Sequence, residues 1–155
     1  MQLHATCVAV AGQGVLLTGA SGSGKSDLAL RLIDQSGCGV GGKPMSAKLV
    51  GDDQINLTRR GSTLIASPAA ALAGLLEVRG IGIIHCAHLP EAPVHLVVEL
   101  SPQQSIERMP EPAAMVFEAL GVSVTKIAVD AYQASASARV RAGLMAAGRL
   151  LDQRM

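Results

Sequence analysis

Two apolar periods organise the chain. Ala5-Thr6-Cys7-Val8-Ala9-Val10 is an apolar, β-prone run, Gly12-Gln13-Gly14 reads as a turn, and Val15-Leu16-Leu17-Thr18 is a second strand, so the pattern predicts an opening hairpin. After a glycine- and serine-rich turn from Gly19 to Gly24 the period becomes helical. From about Lys25 to Asp34, Leu28, Ala29, Leu32 and Ile33 share one face, and Asp27 and Arg31 stand at i,i+4 on the other.

Ser36 to Ser46 has the composition of a surface loop. Lys48-Leu49-Val50-Gly51 is a short strand ending in Asp52-Asp53. Ile55-Asn56-Leu57 and Thr63-Leu64-Ile65 flank Arg59-Arg60-Gly61 as a further hairpin. Val78 to Ile84 is predicted to be extended in spite of its glycines, and Val94 to Leu100 is a clear strand. Ser101 to Pro112 is a loop or broken helix, Lys126-Ile127-Ala128-Val129 a last strand, and Ser137 to Gln153 a terminal helix. No internal repeat or linker interrupts the 155 residues, which predicts a single α/β domain over 1–155.

The chemistry starts at the turn. Gly19-Ala20-Ser21-Gly22-Ser23-Gly24-Lys25-Ser26 fits G-x-x-x-x-G-K-[ST] at every fixed position, with a strand leading in and a helix leading out. Glycines let successive backbone N–H groups converge on phosphate oxygens, and the helix N-terminus adds positive potential. Lys25 suits the β- and γ-phosphates, and the Ser26 hydroxyl suits Mg²⁺. The expected ligand is a nucleoside triphosphate. The strand before this loop is the second arm of a hairpin, which favours a mixed sheet over an ordinary doubly wound one.

Asp52 and Asp53 follow one element later. Neighbours on an extended chain point to opposite sides, so the two carboxylates divide two tasks: holding Mg²⁺, directly or through water, and accepting a proton from an attacking hydroxyl. In Leu76-Glu77-Val78-Arg79-Gly80-Ile81-Gly82-Ile83 an extended backbone would put Glu77 and Arg79 on one face, either as a positioned pair or as an edge-strand ion pair. His4 precedes the first strand, with access to the loop across the hairpin or a structural role. His85-Cys86-Ala87-His88 lacks a second pair at ligand spacing, which speaks against zinc.

Composition narrows the classes. A net charge of +1 and only two aromatics, Tyr132 and Phe117, argue against nucleic-acid binding. Hydrophobic residues at 49% and charged ones at 16% exclude disorder. Cys7, Cys38 and Cys86 form no disulfide pattern and suggest a reducing compartment. No apolar run approaches the ~18 residues of a membrane helix, and no basic start precedes Lys25, so a soluble cytoplasmic protein is expected.

Together these features resemble the catalytic domain of the HPr kinase/phosphorylase family, the protein-serine kinases of the bacterial phosphotransferase system. The resemblance begins at His4-Ala5-Thr6 and runs through Gly19 to Ser26, Leu49-Val50-Gly51-Asp52-Asp53 and the Glu77-Val78-Arg79-Gly80 stretch. It continues more weakly through Leu96 to Leu100, Glu107-Arg108-Met109 and Gly121 to Ile127. It implies a mixed-sheet P-loop fold similar to phosphoenolpyruvate carboxykinase, ATP and Mg²⁺ as cofactors, HPr or an HPr-like carrier as partner, and a hexamer. Asp52 would take the proton from the acceptor serine, Lys25 would hold the phosphates, and Ser26 with Glu77 would hold Mg²⁺. His4 would sit beside the reacting phosphoryl group, with Asp53 and Arg79 in support.

Three departures qualify the match. The chain begins at the kinase domain, the Ser36 to Ser46 loop is longer than usual, and the family's arginine-bearing run after Lys126-Ile127 is replaced by Ala128-Val129-Asp130-Ala131-Tyr132-Gln133. Arg139 and Arg141 are the candidate substitutes. The chain thus resembles the short alphaproteobacterial form, with a kinase expected and the reverse phosphorolysis not. The competing readings are a non-catalytic ATP-binding sensor and a small-molecule P-loop kinase.

Overall fold

The computed structural model describes residues 1–154, with side chains through residue 147. Strands β1 (Gln2–His4), β2 (Thr6–Val10) and β3 (Gln13–Thr18) precede helix α1 (Lys25–Asp34). Six more strands follow: β4 (Ala47–Gly51), β5 (Gln54–Arg60), β6 (Thr63–Pro68), β7 (Leu75–Val78), β8 (Gly82–His85) and β9 (Ala92–Leu100). The chain ends with β10 (Val116–Ala119), β11 (Val122–Val129) and helix α2 (Ala136–Arg154).

Nine strands make one mixed sheet, and β7 pairs with β8 in a separate hairpin. Strand β3 is antiparallel to β2 on one side and parallel to β9 on the other, the mixed arrangement expected from the hairpin. Strand β9 is the hub. Its first residues, Ala92 and Pro93, pair antiparallel with β6, and from Leu96 onward it runs parallel to β11.

Both faces of the centre are covered, which is why β2, β3 and β9 read as nearly unbroken apolar runs. Val8, Val10, Val15, Leu17, Leu96 and Val98 pack with Leu28 and Leu32 of α1 and Val140 and Leu144 of α2. Cys7, Leu16, Val50 and Val97 pack on the opposite face with Ile55, Leu57 and Leu64 from the β5–β6 arm. Each fully buried leucine here contributes about 1.5–3 kcal/mol. A register shift against Gly14 and Val15 leaves His95 as the extra residue in β9, so Val94 and Leu96 join opposite cores.

Four details differ from expectation. Strands β1 and β10 are three and four residues long, too short to show a period in sequence. The first hairpin turns at Ala11 and Gly12, both at positive φ, so Gln13 and Gly14 belong to the strand. Residues 78–84 are not one extended segment. The chain reverses after Val78, with Ile81 N–H donating to the Val78 carbonyl at 3.0 Å, and Arg79 lies in the turn rather than on the face of Glu77. Finally, Arg141 is a buried strut: it donates to the carbonyls of Met45, Leu32 and Gln35 and ties the 36–46 loop to the end of α1. Among the described residues no helix is long and apolar enough to cross a membrane.

Candidate active site

The glycine-rich loop leaves β3 and enters α1. Gly24 has φ +99°, and a Cβ there would stand 2.8 Å from the Ala131 Cβ, so only glycine fits the junction. The buried Lys25 side chain lies along the loop and donates to the carbonyls of Gly19 (2.8 Å) and Ala20 (3.0 Å). Ser23 N–H donates to the Ala20 carbonyl at 3.0 Å. Ser21, Gly22, Gly24 and Ser26 line a cavity of about 440 Å³.

Two chain corners supply the acidic groups. The step from β1 to β2 at Ala5 runs beside the Asp52-Asp53 corner between β4 and β5, with Ala5 N–H donating to the Asp53 carbonyl at 3.2 Å. Asp53 has φ +69°, a left-handed conformation that aspartate tolerates better than most residues. The carboxylates diverge at this bend, where the left-handed Asp53 turns the chain. Asp53 turns outward to His4, with Oδ1 3.2 Å from Nδ1 and both side chains more than half exposed. Asp52 turns inward and is buried.

Asp52 joins three elements. Its Oδ1 accepts from the Thr6 hydroxyl on β2 at 2.7 Å and from the Ser26 hydroxyl on α1 at 2.9 Å. Its Oδ2 accepts from the backbone N–H of Glu77 on β7 at 3.3 Å. Oδ1 is therefore saturated, and Oδ2 keeps a lone pair for another proton. The Ser26 hydroxyl spends its hydrogen on Asp52, which leaves its oxygen lone pairs for a cation. Burial, and then the Asp52 charge, push the nearby Cys86 thiol pKa up.

His4, Lys25, Ser26, Asp52, Asp53, Glu77 and Arg79 all border the one cavity, although residues 4 and 79 are 75 positions apart. The oxygen donors fit a hard cation such as Mg²⁺. Among the described residues no three His, Cys, Asp or Glu side chains converge as a cage, so Mg²⁺ would rest on Ser26, one or two carboxylates, phosphate oxygens and water.

Two residues escaped the sequence reading. Thr6 is a lone hydroxyl in a buried strand, a signal of a polar partner. Tyr132, in the departing segment after β11, also borders the cavity. Arg139 and Arg141 do not reach it. Arg139 donates to Ser135 and Gln103, and Arg141 is the strut already described.

Comparison with known proteins places this arrangement. The model of the HPr Serine kinase C-terminal domain matches residues 1–142. An HPr kinase/phosphorylase of Clostridium botulinum is 41% identical over 88 residues, 57% of this chain and 26% of that protein. One from Geobacillus thermodenitrificans is 35% identical over 118 residues, 69% of this chain and 35% of that protein. These matches thus span about a quarter to a third of the curated relatives' length. The solved Hpr(Ser) kinase/phosphatase from Coxiella burnetii superposes with a TM-score of 0.74 at 27% identity, covering 99% of each chain. With the glycine loop, the Asp52 hub and the mixed sheet in the same molecule, the chain belongs to the HPr serine kinase C-terminal domain family.

Proposed function

We propose that the chain is an ATP- and Mg²⁺-dependent protein-serine kinase acting on HPr or an HPr-like carrier. In this reading residues 1–155 form one P-loop kinase domain of the phosphoenolpyruvate carboxykinase-like type, cytoplasmic and assembling as a hexamer. The observation that carries the proposal is the convergence on one carboxylate. Asp52 borders the cavity, holds the Ser26 hydroxyl of the loop at 2.9 Å through Oδ1, and keeps a lone pair on Oδ2 beside the Glu77 N–H.

When bound, Mg²⁺ neutralises charge on the phosphates. The chain's own residues supply the rest. The loop and the α1 N-terminus bind and orient phosphates, with Lys25 leaving its loop carbonyls for phosphate oxygens. Asp52 Oδ2 accepts the proton of the attacking serine hydroxyl. His4, paired with Asp53, sits beside the reacting phosphoryl group, and Glu77 and Arg79 border the same cavity. The segment after Lys126-Ile127 lacks the arginine-bearing run that the resemblance leads one to expect, and neither Arg139 nor Arg141 borders the cavity, so no reverse phosphorolysis is expected.

The deciding experiment transfers labelled γ-phosphate from ATP to purified HPr-type protein with Mg²⁺, using Lys25→Ala as the blank. Label on an HPr serine, lost in the variant, is the expected result. ATP binding without transfer would instead make the chain a nucleotide sensor.

A further inference from the structure

Tyr132 stands over the glycine-rich loop without being part of it. Its hydroxyl donates to the Gly22 carbonyl at 2.7 Å, although 110 residues separate the two. Its Cζ would lie 4.0 Å from a Cβ built on Gly24. The residue is nonetheless 74% exposed, so it buries too little surface to be held there for packing.

Its backbone is tethered on three sides. Asp130 accepts from the Tyr132 N–H through Oδ1 at 2.9 Å and from the Gln103 N–H through Oδ2 at 3.0 Å. Arg31 of α1, itself paired with Asp27, donates to the carbonyls of Ala131 and Gln133. These contacts aim an exposed aromatic ring at the cavity. The peptide its hydroxyl holds is also the one whose far end, the Ser23 N–H, bonds Ala20, so the phenol fixes the plane of that peptide within the loop. Phe117, the only other aromatic, packs half-buried against the opposite core and cannot serve here.

We propose that Tyr132 is a positioning residue of the nucleotide site: its hydroxyl sets the shape of the loop, and its ring forms a wall against which a bound nucleoside triphosphate packs. The inference rests on the reading of the loop as a nucleotide site. It gives a role to the segment in which this chain departs from its family.

The chain offers its own reporter, because it has one tyrosine. Incorporating meta-fluorotyrosine in the full chain places a single fluorine resonance at Tyr132. That resonance is followed while ATP with Mg²⁺ is added, and calorimetry measures ATP affinity for the wild type, Tyr132→Phe and Tyr132→Ala, with Lys25→Ala as the blank. The resonance should shift saturably with ATP. Tyr132→Phe should bind ATP about fivefold more weakly, as expected for one lost hydrogen bond, and Tyr132→Ala about tenfold or more. Melting temperatures should stay at the wild-type value, which separates positioning from general stability. Wild-type affinity in Tyr132→Ala overturns the proposal whether or not the resonance moves, and leaves the nucleotide reading standing. No ATP binding by the wild type removes the nucleotide reading and this proposal with it.

Discussion

The Thr6 hydroxyl donates to Asp52 Oδ1 at 2.7 Å from a fully buried position on the neighbouring strand. This bond, with the one from Ser26, saturates Oδ1, while Oδ2, which accepts only the Glu77 N–H, keeps a lone pair. Thr6→Val keeps the shape and removes the donor, so Asp52 can rotate and present the wrong oxygen. Phosphoryl transfer should fall about tenfold, the effect of one buried hydrogen bond, with nucleotide affinity unchanged. Thr6→Ser should restore most of the rate. Steady-state kinetics of the three proteins on an HPr-type acceptor check this, and equal rates in all three would remove the positioning role.

Asp52→Asn tests the carboxylate itself. The amide keeps an oxygen for the Thr6 and Ser26 hydroxyls but cannot take a proton from an attacking serine. ATP affinity should hold within about threefold, since Lys25 and the loop are untouched, and transfer should drop about 100-fold or more. Near-normal transfer by the variant would transfer the base role to another group.

The contrast between these residues and Arg79 shows what a single sequence can and cannot say about this site. Helix α1 starts and stops where the motif and its apolar face predicted, because loop, cap and period are all local. Asp52 and Asp53 diverge as the extended-chain reading expects, but the cause is a bend between β4 and β5 with Asp53 at positive φ, not alternation along a strand. Arg79 was misplaced because Gly80 and Gly82, read as tolerated within a strand, both take positive φ and close a turn. The Thr6–Asp52 and Tyr132–Gly22 bonds span 46 and 110 residues, and no local pattern encodes such pairs. The mixed sheet was foreseeable from the hairpin alone, but β1 and β10 exist only by virtue of their partners, β5 and β11.

The three cysteines should separate by alkylation. Cys38 is exposed, Cys86 is half-buried beside Asp52 with its pKa raised, and burial pushes the Cys7 thiol up to about 12. The thiolate is the nucleophile, so a raised pKa lowers the reactive fraction near neutral pH and moves the rise in rate to higher pH. Cys38 should react first with iodoacetamide, Cys86 more slowly and with a rate still climbing above pH 9, and Cys7 only on unfolding. Peptide mapping by mass spectrometry over time gives the order. Asp52→Asn should speed Cys86 by removing the adjacent charge, and an unchanged Cys86 rate in that variant would break the electrostatic link.

Arg141 is one of the two arginines, with Arg139, that the sequence offers as a substitute for the missing one, and its surroundings assign it elsewhere. Its guanidinium donates to Gln35 at 2.7 Å, Met45 at 3.1 Å and Leu32 at 3.2 Å, all backbone carbonyls and two of them at the C-terminal end of α1. A helix end leaves carbonyls without partners and carries negative potential, so a buried cation there satisfies both. Arg141→Ala strands two buried acceptors, the carbonyls of Leu32 and Met45, along with the part-buried one of Gln35, and frees the 36–46 loop. A loss of about 2–4 kcal/mol in folding stability follows from at least two buried acceptors left unpaired. Urea unfolding should register that loss as a lower midpoint. Under conditions where the variant is folded, phosphoryl transfer should stay close to wild type, because Arg141 does not border the cavity that holds Asp52. The opposite pattern, wild-type stability with transfer abolished, would make Arg141 a site residue and overturn its reading as a strut.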